Sequence, residues 1–195
     1  MKTLKGTQTS VNLMKAFAGE SQARNRYTFF ASIAKKEGYV QISKVFEETA
    51  AQEKEHAKRF YKFLKDDFSN EVIEITATFP VALHTSTEEN LKAAAAGENE
   101  EWVDLYPEFA RVAKEEGFPA IAAAFENIAT VEKWHESRYL QLAENIEKSQ
   151  VFKREETDMW QCQNCGYIYE GEEAPKVCPA CIHPQGYFKI FRQDY

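Results

Sequence analysis

The pattern Glu-x-x-His occurs twice in the chain, as Glu53-Lys-Glu-His56 and as Glu132-Lys-Trp-His135. In a helix, residues three apart project from adjacent turns of one face, so each pair can hold one metal ion and bridge to a second. Two further glutamates, Glu20 and Glu98, lie in segments that precede the two pairs. Together these residues make up the ligand set of a two-metal carboxylate site in a helical bundle.

A single Glu-x-x-His in an acidic helix is more typical of a solvated face than of a ligand pair. Here, however, these glutamates and histidines occupy positions on the apolar faces of the helices, where leucine is expected. Burying an unpaired carboxylate at such a position is costly. A multivalent cation removes that conflict. Oxygen and imidazole ligands suit iron, manganese or zinc, and iron ranks first only because a second, redox-type site follows in the chain.

All four cysteines lie close together near the C-terminus, as Cys162-Gln-Asn-Cys165 and Cys178-Pro-Ala-Cys181. Two such knuckles predict tetrahedral thiolate coordination, and their spacing alone does not separate a structural zinc ribbon from a one-electron iron centre. Nearby aromatic residues favour iron, because they can form an apolar shell that restricts water. They are Trp160, Tyr167, Tyr169 and Phe188.

An internal repeat indicates which elements position the glutamates and histidines. Ala34-Lys-Lys-Glu-Gly-Tyr39 recurs 79 residues later as Ala113-Lys-Glu-Glu-Gly-Phe118, and the same offset relates the two Glu-x-x-His pairs. Within each copy the apolar residues step by three and four, which is typical of helices that face a bundle core. The repeat therefore predicts two helical hairpins.

We expect an all-α four-helix bundle over residues 1–148, a linker over 149–159 and a small four-cysteine domain over 160–195. Gly38 and Gly117 break the two hairpins, Pro119 suits a first helical turn, and Ser86 with Glu89 forms a capping box. The connection between the hairpins, residues 67–86, is long. A long crossover is typical of ferritin-like bundles.

The two copies differ by one residue close to the expected metal site. Glu20 and Glu98 are related by an offset of 78, whereas Tyr27 and Tyr106 and everything after them are related by 79, so one residue is inserted between these points. A single insertion in a helix is commonly absorbed as a π-bulge, often at a functional site. The inserted stretch carries Glu101, for which we weigh a seventh ligand bound in one redox state against a solvated glutamate.

Tyr27 and Tyr106 occupy equivalent positions on the two stripes. Their hydroxyl groups can donate hydrogen bonds to ligand carboxylates, although two plain core aromatics fit the pattern as well.

The composition of the chain argues against nucleic-acid binding and against insertion into a membrane. The counts of 24 basic and 31 acidic residues give a net charge of -7, and without a basic cluster nucleic acid is an unexpected partner. No apolar run approaches the length needed to span a membrane or to form a signal peptide. We expect a cytoplasmic protein.

The sequence resembles the rubrerythrin family over essentially its full length. The resemblance rests on Ala18-Gly-Glu-Ser-Gln-Ala-Arg-Asn-Arg-Tyr27, Ala96-Gly-Glu-Asn-Glu-Glu101, the two Glu-x-x-His segments and the rubredoxin-like cysteine pattern. It implies three iron ions per chain and reduction of hydrogen peroxide to water. Electrons would come from a reduced pyridine nucleotide through a separate reductase or a rubredoxin, an activity of the NADH peroxidase type in oxidative-stress defence.

The resemblance also implies a role for each ligand. Glu53 and Glu132 would bridge the metals, Glu20 and Glu98 would be terminal, His135 would bind the second iron, and His56 and Glu101 would exchange on one iron. Such proteins are typically homodimers packed head to tail. The alternatives are a ferritin-like ferroxidase that handles iron, and a non-enzymatic helical adaptor with a zinc ribbon.

Overall fold

The structure is a computed structural model that describes residues 2–193. The bundle is formed by α1 (Gln8–Lys36), α2 (Val40–Phe68), α3 (Thr87–Glu100), α4 (Tyr106–Glu115) and α5 (Pro119–Glu147). A π-helical segment, Glu101–Leu105, joins α3 to α4, so these two act as one interrupted helix. The predicted ferritin-like four-helix bundle is confirmed.

Local sequence signals set the ends of the helices. At the start of α1, the side chain of Thr7 accepts a hydrogen bond from the backbone N–H of Ser10. At the start of α3, the side chain of Ser86 accepts one from the backbone N–H of Glu89. Gly38, between α1 and α2, has a φ of 87°, and Gly117, before α5, has a φ of 75°. Glycine adopts this left-handed conformation without the steric cost of a Cβ, so both tight turns are possible.

The bundle core consists of two aromatic clusters, one on each side of the glutamates and histidines. Phe60, Tyr106 and Phe125 lie in one of them, and the ring centroids of Phe60 and Phe125 are 4.8 Å apart. Tyr27 and Phe46 lie in the other. Most of the predicted stripe positions are buried, so the metal-binding side chains are held between two rigid apolar layers.

The inserted residue is absorbed as predicted, by the π-helical segment. The spacing of three and four predicts an inward position for Leu105, and this prediction is wrong. Leu105 is 36% exposed, because the wider turn rotates the segment relative to an ideal helix.

The C-terminal domain is a three-stranded antiparallel sheet in the order β2-β1-β3, formed by β1 (Lys153–Cys162), β2 (Ile168–Glu173) and β3 (Phe188–Ile190). Trp160, Cys162 and Phe188 lie in its core. The predicted linker over 149–159 is wrong for most of its length, because β1 begins at Lys153; its polar residues alternate on an exposed strand. The last two residues of the predicted domain, 194–195, lie outside the described residues.

The domain contacts the bundle at the turn between α1 and α2. The rings of Phe152 and Tyr39 stack with centroids 6.0 Å apart and an interplanar angle of 6°. A Cβ added to Gly186 would lie 2.2 Å from the carbonyl oxygen of Gly38, so the two backbones touch directly. Within residues 2–193, no helix is long and apolar enough to cross a membrane.

Candidate metal centres

The glutamates and histidines of the bundle converge into two overlapping groups. Ligand atoms of one group lie within 4.8 Å of one another, and so do those of the other. Glu53 and Glu132 belong to both groups, as expected for carboxylates that bridge two ions. The groups are Glu20, Glu53, His56 and Glu132, and Glu53, Glu98, Glu132 and His135.

Each histidine faces three carboxylates across short distances. Nδ1 of His56 lies 2.9 Å from Glu132, 3.0 Å from Glu53 and 3.9 Å from Glu20. Nδ1 of His135 lies 2.8 Å from Glu132, 3.1 Å from Glu53 and 3.7 Å from Glu98. Ligands about 2.1 Å from a shared ion at right angles are about 3 Å apart, so both groups have the dimensions of a coordination shell.

Many of these atoms are buried without a hydrogen-bond partner among the described residues. They include both oxygens of Glu132, one oxygen each of Glu20, Glu53 and Glu98, and Nδ1 of His135. Buried polar groups are nearly always paired, and unpaired ones are costly. Acceptor atoms that face one another at these distances fit divalent cations.

In the metal-free protein the electrostatics of the cluster are strained. Burial and the neighbouring carboxylate Glu53 raise the pKa of Glu98 to about 8. Although burial alone would lower it, contacts with Glu132 and Glu53 raise the pKa of His56 to about 10. Burial opposes ionisation of Glu53 too, yet its close contacts with His135 and His56 outweigh burial and lower its pKa to about 2. Glu98 and His56 thus hold protons near neutral pH that a bound cation would displace.

Tyr27 and Tyr106 support the carboxylates from opposite sides. The Tyr27 hydroxyl donates a hydrogen bond of 2.5 Å to Glu98, and the Tyr106 hydroxyl donates one to Glu20. Of the two interpretations left open for these tyrosines, hydrogen bonding is the one observed, and it orients the two carboxylates that belong to only one group each.

A further supporting residue, Gln52, was not predicted. Its side-chain oxygen lies 2.9 Å from Nε2 of His135, so Nε2 carries the proton and Nδ1 is free to bind a metal. Gln52 has no counterpart in the repeat and directly precedes Glu53, so no periodic signal identifies it.

Glu101 belongs to neither ligand group within the described residues. It lies beside the cluster and lines a cleft together with Gly19; a Cβ on Gly19 would lie 3.7 Å from its Oε1. The next residue, Trp102, anchors the π-helical segment, because its Nε1 donates a 2.6 Å hydrogen bond to Glu136. Asn99 donates a second one of 2.9 Å to the same carboxylate.

The four cysteines form a compact cluster in the C-terminal domain. The Sγ atoms of Cys162 and Cys181 are 3.7 Å apart, as are those of Cys165 and Cys178, and no disulfide links any of the four. Thiolates about 2.3 Å from a central ion form a tetrahedron with edges of about 3.8 Å. Cys162 and Cys178 are buried, whereas Cys165 is exposed.

The fold, the cluster of glutamates and histidines and the cluster of cysteines together define the class of protein. It is a ferritin-like bundle with a two-metal carboxylate site, joined to a rubredoxin-like domain. Residues 12–143 match the family model described as Rubrerythrin, and residues 160–189 match the one described as Rubrerythrin, rubredoxin-like domain. The chain belongs to the rubrerythrin family, which is known for a di-iron function in oxidative stress. It carries the Glu/His di-iron site and a four-cysteine iron site, consistent with three iron ions per chain.

Relatives match over the full chain. The sequence is 62% identical over 195 residues to a rubrerythrin of Clostridium perfringens, with 100% of both chains covered. It is 52% identical over 190 residues to a rubrerythrin of Nitratidesulfovibrio vulgaris, with 97% of each covered. A solved structure described as the partially reduced state of nigerythrin has a TM-score of 0.63 and 33% identity, covering 97% of this chain and 92% of that one.

Proposed function

We propose that this chain is a di-iron peroxidase that reduces hydrogen peroxide to water with electrons relayed through its four-cysteine iron. One observation carries the proposal: a two-metal cluster with two shared carboxylates and a four-thiolate cluster lie on the same chain. When bound, the iron pair supplies two electrons at once, which is what cleavage of one peroxide bond needs. The physiological donor, a rubredoxin or an NAD(P)H-dependent reductase, and a cytoplasmic location belong to the same proposal.

The protein's own residues hold the ions and manage protons. In this proposal Glu53 and Glu132 would hold both ions, Glu20 and Glu98 would hold one each, and His135 would be a fixed ligand. Glu101 and the two tyrosines handle protons at the cluster, because the hydroxyls of Tyr27 and Tyr106 already donate to ligand carboxylates. Each turnover consumes two protons and two electrons and yields two molecules of water.

The unlike surroundings of the two histidines support an exchange of His56 for Glu101 on one iron. The side chain of His56 is 14% exposed, whereas that of His135 is 4% exposed. Among the described residues, only His135 makes a hydrogen bond through Nε2. His56 is therefore the histidine that is free to move.

The position of the C-terminal domain supports electron delivery between two chains of a homodimer. The domain contacts the bundle at Tyr39, and Glu53 lies fourteen residues further along α2. At about 1.5 Å per residue this is about 21 Å, a long path for an electron within one chain. The exposed Cys165 offers a surface through which an electron can pass to or from another protein.

Rapid mixing of the reduced, iron-loaded protein with peroxide and, separately, with oxygen tests the proposal. We expect peroxide to oxidise the di-iron site much faster than oxygen does. Faster oxidation by oxygen would instead establish the ferroxidase alternative. A colourless protein that holds zinc on its cysteines would establish the structural adaptor.

The relay is tested with Cys162→Ser. This variant should oxidise once with peroxide at the wild-type rate, because the bundle site is intact, but it should not sustain turnover with a reductase. Unchanged steady-state turnover would show that electrons enter the di-iron site by another path.

A further inference from the structure

A cleft of about 310 Å³ opens beside the di-iron site, between α1, the π-helical segment and residues 76–80 of the crossover. Hydrogen peroxide does not need this space, since one water molecule occupies about 30 Å³. The volume reaches the lower end of the range for pockets that bind small organic molecules, roughly 300–1,000 Å³.

Two glycines within helices keep the floor of the cleft open. Gly19 of α1 and Gly97 of α3 both line it. Added Cβ atoms would meet their nearest neighbours at 3.7 Å and 3.5 Å, which are ordinary contacts, and neither glycine has a positive φ. Neither packing nor backbone conformation therefore requires glycine at these two positions. Alanine would stabilise either helix more, so the open space beside the glycines is what explains them.

One wall of the cleft is apolar, whereas its inner end is polar. The outer wall is apolar, formed by Phe79, Leu105 and Phe109, and the ring of Phe79 is 43% exposed. The inner end is polar: Nη1 of Arg26 is buried without a hydrogen-bond partner among the described residues, and Glu101 lies on the side toward the metal ligands. Nε of Arg26 donates to Gln22 over 2.6 Å, which fixes the guanidinium.

We propose that this cleft binds the organic group of an alkyl or aralkyl hydroperoxide, with Arg26 donating a hydrogen bond to the peroxide oxygens, and that the chain reduces such hydroperoxides to alcohols. This inference rests on the proposed peroxidase function and extends its substrate class. The apolar wall at Phe79 receives the organic group, and the open floor at Gly19 gives the O–O bond access to Glu101.

The reaction balances with the electrons of the proposed function. The O–O bond breaks, the alkyl-bearing oxygen leaves as an alcohol and the other oxygen leaves as water. Two protons are taken up, one of which Glu101 is placed to deliver, and the two electrons are those of the reduced iron pair. The same reductase that serves hydrogen peroxide restores them.

Binding is measured apart from turnover, with the oxidised holoprotein and 2-phenylpropan-2-ol, the alcohol formed from cumene hydroperoxide, by titration calorimetry. We expect one molecule per chain. Gly19→Val should weaken binding by about tenfold or more, because even one methylene changes the affinity of an apolar pocket by that order. Ala18→Val places the same side chain one residue earlier, outside the cleft lining, and should bind within about twofold of wild type.

A second pair of variants tests the opposite wall. Phe79→Ala should also weaken binding of the alcohol, whereas Leu83→Ala, an exposed apolar residue of the same crossover, should leave it unchanged. If the wild-type protein does not bind the alcohol, or if Gly19→Val and Phe79→Ala both bind it like wild type, the inference is overturned.

Rapid mixing of the reduced protein with cumene hydroperoxide and with hydrogen peroxide separates this inference from the proposed function. We expect both to oxidise the site, and the ratio of the cumene hydroperoxide rate to the hydrogen peroxide rate to fall in Gly19→Val. Oxidation by hydrogen peroxide alone would overturn the wider substrate class and leave the peroxidase proposal standing. Oxidation by neither would overturn both.

Discussion

At the scale of single residues, the two histidines of the cluster are equivalent by sequence and unlike in their surroundings. His135 is fixed on both sides of its ring, by Gln52 at Nε2 and by carboxylates at Nδ1. His56 meets carboxylates at Nδ1 only, and its ring lies 6.1 Å from that of His135. In the proposed exchange, the residues that surround each ligand would therefore decide which of the two histidines stays in place.

Gln52→Leu should weaken metal binding at the group that contains His135. The variant leaves the Nε2 proton buried without an acceptor, and loss of such a supporting hydrogen bond typically costs about 10–100-fold in metal affinity. Removal of ferrous iron by a competing chelator measures the effect. Gln141→Leu, the same change at an exposed position of α5, is the control. Equal iron retention by the two variants would contradict the role of Gln52.

Metal binding should release protons near neutral pH, so affinity should rise with pH. Carboxylate contacts outweigh burial and raise the pKa of His135 to about 12, and burial raises the pKa of Glu98 to about 8, so both groups hold protons at pH 7 in the metal-free protein. A cation binds only the deprotonated forms. Anaerobic titration with ferrous iron in buffers of different ionisation enthalpy counts the protons. Release of no proton would contradict these pKa values.

At the scale of elements, the π-helical segment interrupts the second half of the bundle where the first half has the continuous helix α1. Trp102 and Asn99 tie it to Glu136 on α5, so the segment is fixed although its hydrogen-bond ladder is irregular. This tether leaves the neighbouring Glu101 facing the cleft and adjacent to the ligands.

Glu101→Ala should retain both metals in the reduced state and slow peroxide turnover by about two orders of magnitude or more, since a positioned proton donor typically contributes about 10²–10⁴-fold. Iron content and single-turnover oxidation measure the two effects separately. Asp104→Ala removes an exposed carboxylate from the same π-helical segment and is the matched control. Wild-type turnover in Glu101→Ala would exclude both the ligand exchange and the proton role.

At the scale of the whole molecule, the four-cysteine domain meets the bundle through the stacked rings of Phe152 and Tyr39 and through a direct backbone contact. Gly186→Ala would place a methyl group 2.2 Å from the Gly38 carbonyl oxygen, so the two backbones must move apart. Overpacking of this kind costs typically about 1–3 kcal/mol. We expect faster proteolysis within residues 148–152 and an unchanged visible spectrum of the four-cysteine iron.

The control for that variant is Gly171→Ala in the same domain. The three atoms nearest to its added Cβ all belong to the side chain of Tyr169, which is 37% exposed and can rotate away. Equal proteolysis of the two variants would show that the contact at Gly38 does not hold the domain.

The sequence predicts most of the bundle because the repeat presents each helix twice. The Glu-x-x-His pairs, the two supporting tyrosines and the π-bulge all follow from one offset and its single exception. Gln52, Arg26 and the contact of Gly186 with Gly38 could not be predicted, since each depends on which elements meet in space. The start of β1 was missed because an exposed strand carries the same polar residues as a linker.

The one residue inserted in the second half makes the surroundings of the metal ligands unequal. Two identical hairpins would surround their metals with matching chemistry, but here the first half brings the cation Arg26 to the cleft and the second brings the acid Glu101. The two halves thus differ in the charged group that each places beside the shared ligands. A bundle made of two copies of either half would keep the glutamate and histidine ligands. It would carry either the cation or the acid beside the cleft, but not both.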